Sequence, residues 1–245
     1  MRARVAIGVI LCTLAAGCGG KSSSPTTTSA PGTTSGTTRK VDVYYLRGNA
    51  LVPVKATIAE TPAIATATIQ KLLQEPPRGL RTAIPPGTTL ESIAVSGGRA
   101  TARFSTDEMT HTAEGQIVYT LSQFPTVTSV DGGPFKTPAR RTDYNDLTPE
   151  APIFVAAPQR DSSVSSPLHA RGTADVFEGT LAVDVWSNGK RLRTESIQAT
   201  SGTGTRGTWS VRIAVPAGPA KLVFYEPSAE NGSHLHATTV ELSVG

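Results

Sequence analysis

Residues 21–38 (KSSSPTTTSAPGTTSGTT) decide where this chain can fold, because they contain no apolar side chain larger than alanine and are mostly Ser and Thr broken by Pro25, Pro31, Gly32 and Gly36. Such a stretch cannot bury enough nonpolar surface to offset the entropy of ordering it, so it is expected to be a tether, and any core must begin after it. Its eighteen residues have a coil dimension of about 25 Å and an extended reach of about 60 Å. Both cysteines, Cys12 and Cys18, precede the tract. The folded part must therefore hold together without a disulfide or a cysteine metal site. With 23 Lys and Arg against 19 Asp and Glu, the net charge of +4 is too dilute to form a nucleic-acid footprint. No apolar run beyond the N-terminus has the length to cross a bilayer.

Ahead of the tract, Arg2 and Arg4 precede a short apolar run at residues 5–14 (VAIGVILCTL) that leads into small residues. That order marks a secretory signal rather than a membrane span. The continuation Leu14, Ala15, Ala16, Gly17, Cys18 resembles the lipobox of bacterial lipoproteins. The resemblance implies cleavage between Gly17 and Cys18 and a diacylglyceryl-modified, palmitate-type acylated Cys18. The membrane lipid attached through Cys18 would hold the chain at the outer, extracytoplasmic face of the cell membrane. An ordinary signal peptide with an incidental Cys18 is the alternative. On the lipobox reading, residues 1–17 are the signal peptide and residues 18–40 the lipidated cysteine with its tether.

From Val41 the composition changes. Residues 41–46 (VDVYYL) and 51–58 (LVPVKATI) read as strands, with Pro53 marking an edge or bulge. Thr61 and Pro62 supply an N-cap followed by a first-turn proline, Ile64, Ala65, Ile69, Leu72 and Leu73 fall on one helical face, and Pro76 and Pro77 end the helix. Residues 90–95 and 100–104, joined by Ser96, Gly97 and Gly98, make a hairpin signal. Ser105 and Glu108 have the spacing of a capping box. Ile117, Val118, Leu121 and Phe124 form the stripe of a second helix, and residues 126–130 return to strand. Interleaved strands and helices predict a compact α+β domain, a mixed sheet with two helices, over residues 41–134.

The segments GLRTAIPPGT, LESIAVSGGRATARFS and GQIVYTLSQFPTVTSVDGG occur in order and resemble the GerMN domain of bacterial sporulation, germination and envelope lipoproteins. The chain departs from that pattern after Val130, where the last strand is shortened to SVDGGP. Residues 135–150, proline-broken and polar, read as a linker with Arg140 and Arg141 open to proteases. Beyond it, seven short strands at residues 153–156, 167–172, 180–186, 192–198, 208–215, 220–225 and 237–244, without a helix pattern, predict an all-β sandwich over residues 151–245. The absent Cys…Trp…Cys arrangement excludes an antibody-type domain only. SSVSSPLHARGTADVFEGTLAVDVW, RGTWSVRI and LVFYEPSAENGS resemble the immunoglobulin-like domain of bacterial spore germination proteins. Alternation puts Trp209, Val211 and Ile213 on one face, expected to be buried, and Ser210 and Arg212 on the other.

Chemistry is sparse. His234 and His236, two apart on a strand, could share a face and ligate a metal, yet beside the Asn231–Gly232 turn they read as exposed strand residues. Adjacent Asp107 and Glu108 diverge in direction and suit a helix start through its dipole. The serines of residues 162–166 lack a nucleophile elbow and a base. Glu178, Glu226 and Glu230 read as a solvated face, and Arg140, Arg141, Arg191 and Arg193 are too few for an anionic-polymer track. The expectation is a non-enzymatic, cofactor-free, metal-free envelope lipoprotein that binds or scaffolds protein or peptidoglycan partners. The resemblances imply a sporulation- or germination-like setting. Because GerMN modules also occur in actinobacterial envelope lipoproteins, an accessory lipoprotein modulating a sensor kinase or transporter is a second reading. A wall hydrolase is a third, with no catalytic constellation to carry it.

Overall fold

The computed structural model describes residues 37–245. The expected signal peptide, Gly17, Cys18 and the tether up to residue 36 lie outside the described residues. Thr38, Arg39 and Lys40, expected to end the tether, instead begin the first strand.

Strands β1 (Thr38–Arg47) and β2 (Ala50–Ala59) pair antiparallel through a two-residue turn, with Val43 opposite Val54 and Leu46 opposite Leu51. Gly48 takes φ +61° there, which glycine adopts without steric cost. Helix α1 (Ile64–Leu72) buries Ala65, Ile69 and Leu72, as its spacing requires. Its start differs from expectation: Thr61 Oγ1 accepts from the Ala63 N–H at 3.1 Å, so Thr61 and Pro62 form a turn before the helix and do not cap it. Hairpin β3 (Leu90–Ser96) and β4 (Arg99–Phe104) precedes helix α2 (His111–Leu121). The expected capping box at Ser105 is replaced by Thr110, whose hydroxyl accepts from the Ala113 N–H at 3.2 Å. Thr106 meanwhile closes a separate turn onto the Glu108 N–H.

Strand β5 (Ser129–Gly132) runs parallel to β4, and β6 (Phe135–Ala139) returns antiparallel to it, in the order β3-β4-β5-β6. The expected linker at residues 135–150 is thus structured: it supplies β6 and then a 3-10 turn, Arg141–Leu147, that buries Tyr144 and Leu147. Arg141 donates to Ser122 Oγ at 2.7 Å and Tyr119 O at 3.1 Å, and its guanidinium lies 4.7 Å from the Tyr119 ring centre. That clamp contradicts the expectation of an open protease site at Arg141.

Helix α2 also carries a buried polar face. Asp42 N–H donates to Gln123 Oε1 (2.7 Å) and Gln123 Nε2 returns to Asp42 O (2.5 Å). Tyr44 N–H donates to Thr120 Oγ1 (3.1 Å), and Gln116 Nε2 donates to Tyr44 O (3.0 Å). Leu46 exchanges both backbone bonds with Arg81. The edge of β1 away from β2 is therefore satisfied by side chains of α2 and one backbone bridge, which protects it from pairing with another chain. Since Tyr44 N–H points away from β2, its opposite number Pro53 has its nitrogen on the far edge of β2, where a missing donor breaks no pairing to β1.

The second half is all β: β7 (Ile153–Ala157), β8 (Ser162–Val164), β9 (Leu168–Ala174), β10 (Thr180–Ser187), β11 (Lys190–Gln198), β12 (Gly207–Ile213), β13 (Gly218–Pro227) and β14 (His234–Val244). Sheets β12-β9-β7 and β11-β10-β13-β14-β8 enclose a core that includes Ile153, Leu181, Ile213, Leu222 and Phe224. The three-residue β8, parallel to β14, is a strand the periodicity did not signal. Trp209 is buried with its ring centre 4.9 Å from that of Phe224, Ile213 is buried, Val211 is half-buried, and Ser210 and Arg212 are exposed. Gly172, opposite Trp209, makes room for this packing, because a β-carbon there would lie 1.9 Å from Phe154 O and 2.7 Å from the indole.

Candidate interaction site at the module junction

The turn between β1 and β2 inserts Asn49 into the sandwich. Its Nδ2 donates to Val155 O (2.9 Å) and Pro158 O (2.7 Å), and its Oδ1 accepts from the Arg160 N–H (2.9 Å). Asn49 is 1% exposed, so one amide spends two donors and an acceptor where water does not compete. Around it Ala50 packs with Ala151 and Phe154, and Arg81 donates from Nε to Gly48 O at 3.2 Å. From the sandwich side Arg160, also buried, donates from Nη2 to Asp146 Oδ2 at 2.8 Å and from Nη1 to Thr239 O. His111 Nε2 meets the other Asp146 oxygen at 2.9 Å, and its ring stacks on Tyr144 at 4.7 Å. Tyr144 in turn donates to Glu114 at 2.8 Å.

Electrostatics follow from this packing. Burial alone would raise the Asp146 carboxyl, but the His111 hydrogen bond and the Arg160 charge outweigh it and hold Asp146 below the ordinary carboxylate value. Burial pushes the Arg160 guanidinium down, with Asp146 opposing. It likewise pushes Arg81 down, opposed by Asp161 and reinforced by Arg160. Burial raises the Tyr144 phenol far above its usual value, and the bond to Glu114 adds to this.

A cleft of about 440 Å³ opens over this cluster, lined by His111, Asp146, Arg160, Asp161, Thr239 and Glu241. Asp161 and Glu241 also line a second cleft of about 480 Å³ on the outer face of the five-stranded sheet, where Lys221 Nζ stands 4.5 Å over the Trp186 ring. Such surfaces offer hydrogen bonds and charge to a partner. Among the described residues no three His, Cys, Asp or Glu side chains converge to hold a metal ion.

The two modules are also recognisable one by one. The family described as "Sporulation and spore germination" (Germane) matches residues 42–131, and the "Immunoglobulin-like domain of bacterial spore germination" (Gmad2) matches residues 152–233. The chain carries a Germane domain followed by a Gmad2 domain. No curated protein matches it. Among solved structures, the tandem GerMN domains of the sporulation protein GerM from Bacillus subtilis are 26% identical over 43% of this chain and 45% of that one, with a TM-score of 0.38. WR4, a C. elegans MSP family member, is 18% identical over 39% of this chain and all of its own length, with a TM-score of 0.23. This chain therefore spans less than half of the GerM chain it matches.

In the Gmad2 domain the two expected histidines part company. His236 takes φ +52° at a bulge opposite Tyr225. His234 stacks on Tyr225 at 3.5 Å and lies 3.5 Å from Asp184, whereas His236 lies 3.7 Å from Glu226. The shared-face expectation is overturned by that bulge, which breaks the period of two. Asp107 and Glu108 precede α2 outside the junction cluster, Glu226 accepts from the Phe177 N–H at 3.0 Å, and Glu178 and Glu230 are exposed on neighbouring turns. Arg191 reaches Asp184 and Arg193 reaches Glu195. Ser162 donates to nearby Gln159 O, and Ser166 Oγ accepts from the distant Val215 N–H at 2.9 Å. Sequence reasoning missed Asn49, His111, Asp146 and Arg160, which form the cluster; the Asn49 side chain carries no local signal beyond that of a turn.

Proposed function

We propose that this Germane–Gmad2 protein is a lipid-anchored envelope lipoprotein that acts by binding or scaffolding protein or cell-wall partners rather than by catalysis. The observation that supports this reading most is the docking of the two domains through Asn49 and Arg160, which makes the Germane and Gmad2 domains one presentation body. An anchor at Cys18 followed by the Ser/Thr tether would hold that body tens of ångströms from the lipid, at the distance of wall polymers and the ectodomains of membrane proteins.

The anchor is tested by detergent phase partitioning: Cys18→Ser should lose the detergent-phase, signal-cleaved form, and Cys12→Ser should keep it. Equal partitioning of both variants would refute the anchor. The binding role is tested by formaldehyde crosslinking in intact cells with mass-spectrometric identification. Reproducible envelope adducts are expected, and an adduct-free protein that turns over purified peptidoglycan would replace the scaffold with a hydrolase.

A further inference from the structure

The most exposed large apolar side chain among the described residues is Phe177, at 60% exposure. It sits on the 3-10 turn Phe177–Gly179, between buried Val176 and a Glu178 held at φ +53°, a left-handed conformation that non-glycine residues keep only when their surroundings impose it.

Here the surroundings do impose it. Val176 O accepts from both Gly179 N–H and Thr203 N–H, and Gly179 O accepts from Ala199 N–H. Glu178 donates its N–H to Thr203 Oγ1 at 3.0 Å and accepts from Gln198 Nε2 at 2.7 Å. The Phe177 N–H is held by the Glu226 carboxylate at 3.0 Å. Gly202 approaches so closely that a β-carbon there would meet Gly179 N at 2.1 Å. The turn is thus fixed from three segments, yet the ring it carries is left in water.

A second exposed apolar side chain, Leu235 at 41%, stands directly opposite Glu226 in the β13–β14 ladder. It therefore leaves the sheet on the same side as the carboxylate that reaches Phe177. The turns nearest the pair carry three acids: exposed Glu178 directly follows Phe177, Glu226 holds the turn while also facing His236 at 3.7 Å, and exposed Glu230 stands on the loop that closes the same hairpin. An aromatic ring on a turn already ordered in the free protein loses little entropy on burial, which is what a binding anchor requires.

We propose that Phe177, flanked by Leu235, is the docking knob of the Gmad2 domain, and that it enters an apolar pocket rimmed by Lys or Arg on a protein partner. Charge complementarity selects that occupant: the acidic rim repels an anionic lipid surface and favours a basic one. The proposal deepens the binding role given above and rests on it.

The test places the photocrosslinker p-benzoylphenylalanine at position 177, at 235, and at 192 as a control in the full chain in its native cells. Leu192 is 45% exposed but lies between Arg191 and Arg193. Positions 177 and 235 should give adducts to one and the same envelope protein, with Lys or Arg flanking the crosslinked peptide, and position 192 should not. Glu178→Lys should lower the adduct yield at 177 at least fivefold. Phe177→Ala should leave the unfolding midpoint of the purified protein within about 3 °C, as a surface substitution does, while abolishing co-purification of that protein. Adducts only to lipid, to glycan or to a second copy, equal yield from all three positions, or a large loss of stability in Phe177→Ala would each overturn the proposal. If formaldehyde adducts persist while position 177 stays silent, the binding role stands and the knob falls.

Discussion

Replacing Asn49 by Leu nearly conserves side-chain volume while removing every hydrogen bond the amide makes across the junction. Three backbone groups lose their partners: Val155 O, Pro158 O and Arg160 N–H. A buried polar group left unsatisfied costs about 1 to 3 kcal/mol, so the three together set a cost between about 3 and 9 kcal/mol. The protein can limit that cost by letting the domains part and water enter, so the lower bound of about 3 kcal/mol applies to the coupled structure. For a body of this size that corresponds to a midpoint lowered by roughly 6 to 12 °C. Parting of the domains also has a local signature. The Arg160 side chain is 4% exposed and tied to Asp146 and Thr239, so trypsin should not cut after it in the parent protein. In Asn49→Leu that bond should become an early cleavage site. Urea unfolding and mass spectrometry of the first tryptic fragments measure both effects. A variant within about 0.5 kcal/mol of the parent, with Arg160 equally protected, would refute the view that this amide docks the domains.

Trp209→Ala should cost about 3 to 5 kcal/mol through lost contacts with Phe224 and a residual cavity, while exposed Arg212→Ala changes the denaturation midpoint little; an equal response in both would remove Trp209 from the core. Gly172→Ala should cost more than about 2 kcal/mol, because its β-carbon would lie 1.9 Å from Phe154 O and β7 would have to move off β9; unchanged amide exchange in β7 would refute this. Asp146 has a folded pKa below its ordinary value, so its contribution is present above about pH 4 and is lost as pH falls through the folded value. Stability measured from pH 6 to pH 2.5 should fall more steeply in the parent than in Asp146→Asn, and parallel curves would count against the cluster.

The periodic parts of this fold were legible because burial follows local period. Ile69 and Leu72 on α1, Ile117 and Leu121 on α2, and Trp209 and Ile213 on β12 are buried where spacing alone puts them. The strands of the Germane domain's two hairpins lie within three residues of the expected runs, and the second hairpin was marked by the turn at Ser96, Gly97 and Gly98. What failed was local chemistry with two solutions: Ser105 and Thr110 can each begin a helix, and only the docking of α2 selects Thr110. Residues 135–150 looked like a linker because Pro138 and the charged residues give no pattern. Their order comes from outside the segment, from Val130 across the β5–β6 pair and from the Tyr119 ring under Arg141.

The junction was illegible for a deeper reason. Its members stand at positions 49, 81, 111, 146 and 160, and each has a sufficient local explanation: a turn asparagine, a loop arginine, a first-turn histidine, an acid in a polar stretch and a basic residue before a turn. A sequence pattern reports a residue only when its neighbours cannot account for it, and here they all could. The same holds for Gln116, Thr120 and Gln123, spaced four and three apart on α2. In a helical projection they form a polar stripe that would be assigned to solvent. In the fold Gln116 and Thr120 are fully buried, and the three side chains pair with the edge of β1. An apolar residue at position 116 would therefore improve the amphipathic pattern of the helix while unpairing Tyr44 O and Ala83 N–H. The covered edge of β1, the polar face of α2 and the contact with Gmad2 are thus all specified by polar side chains whose partners lie on other elements.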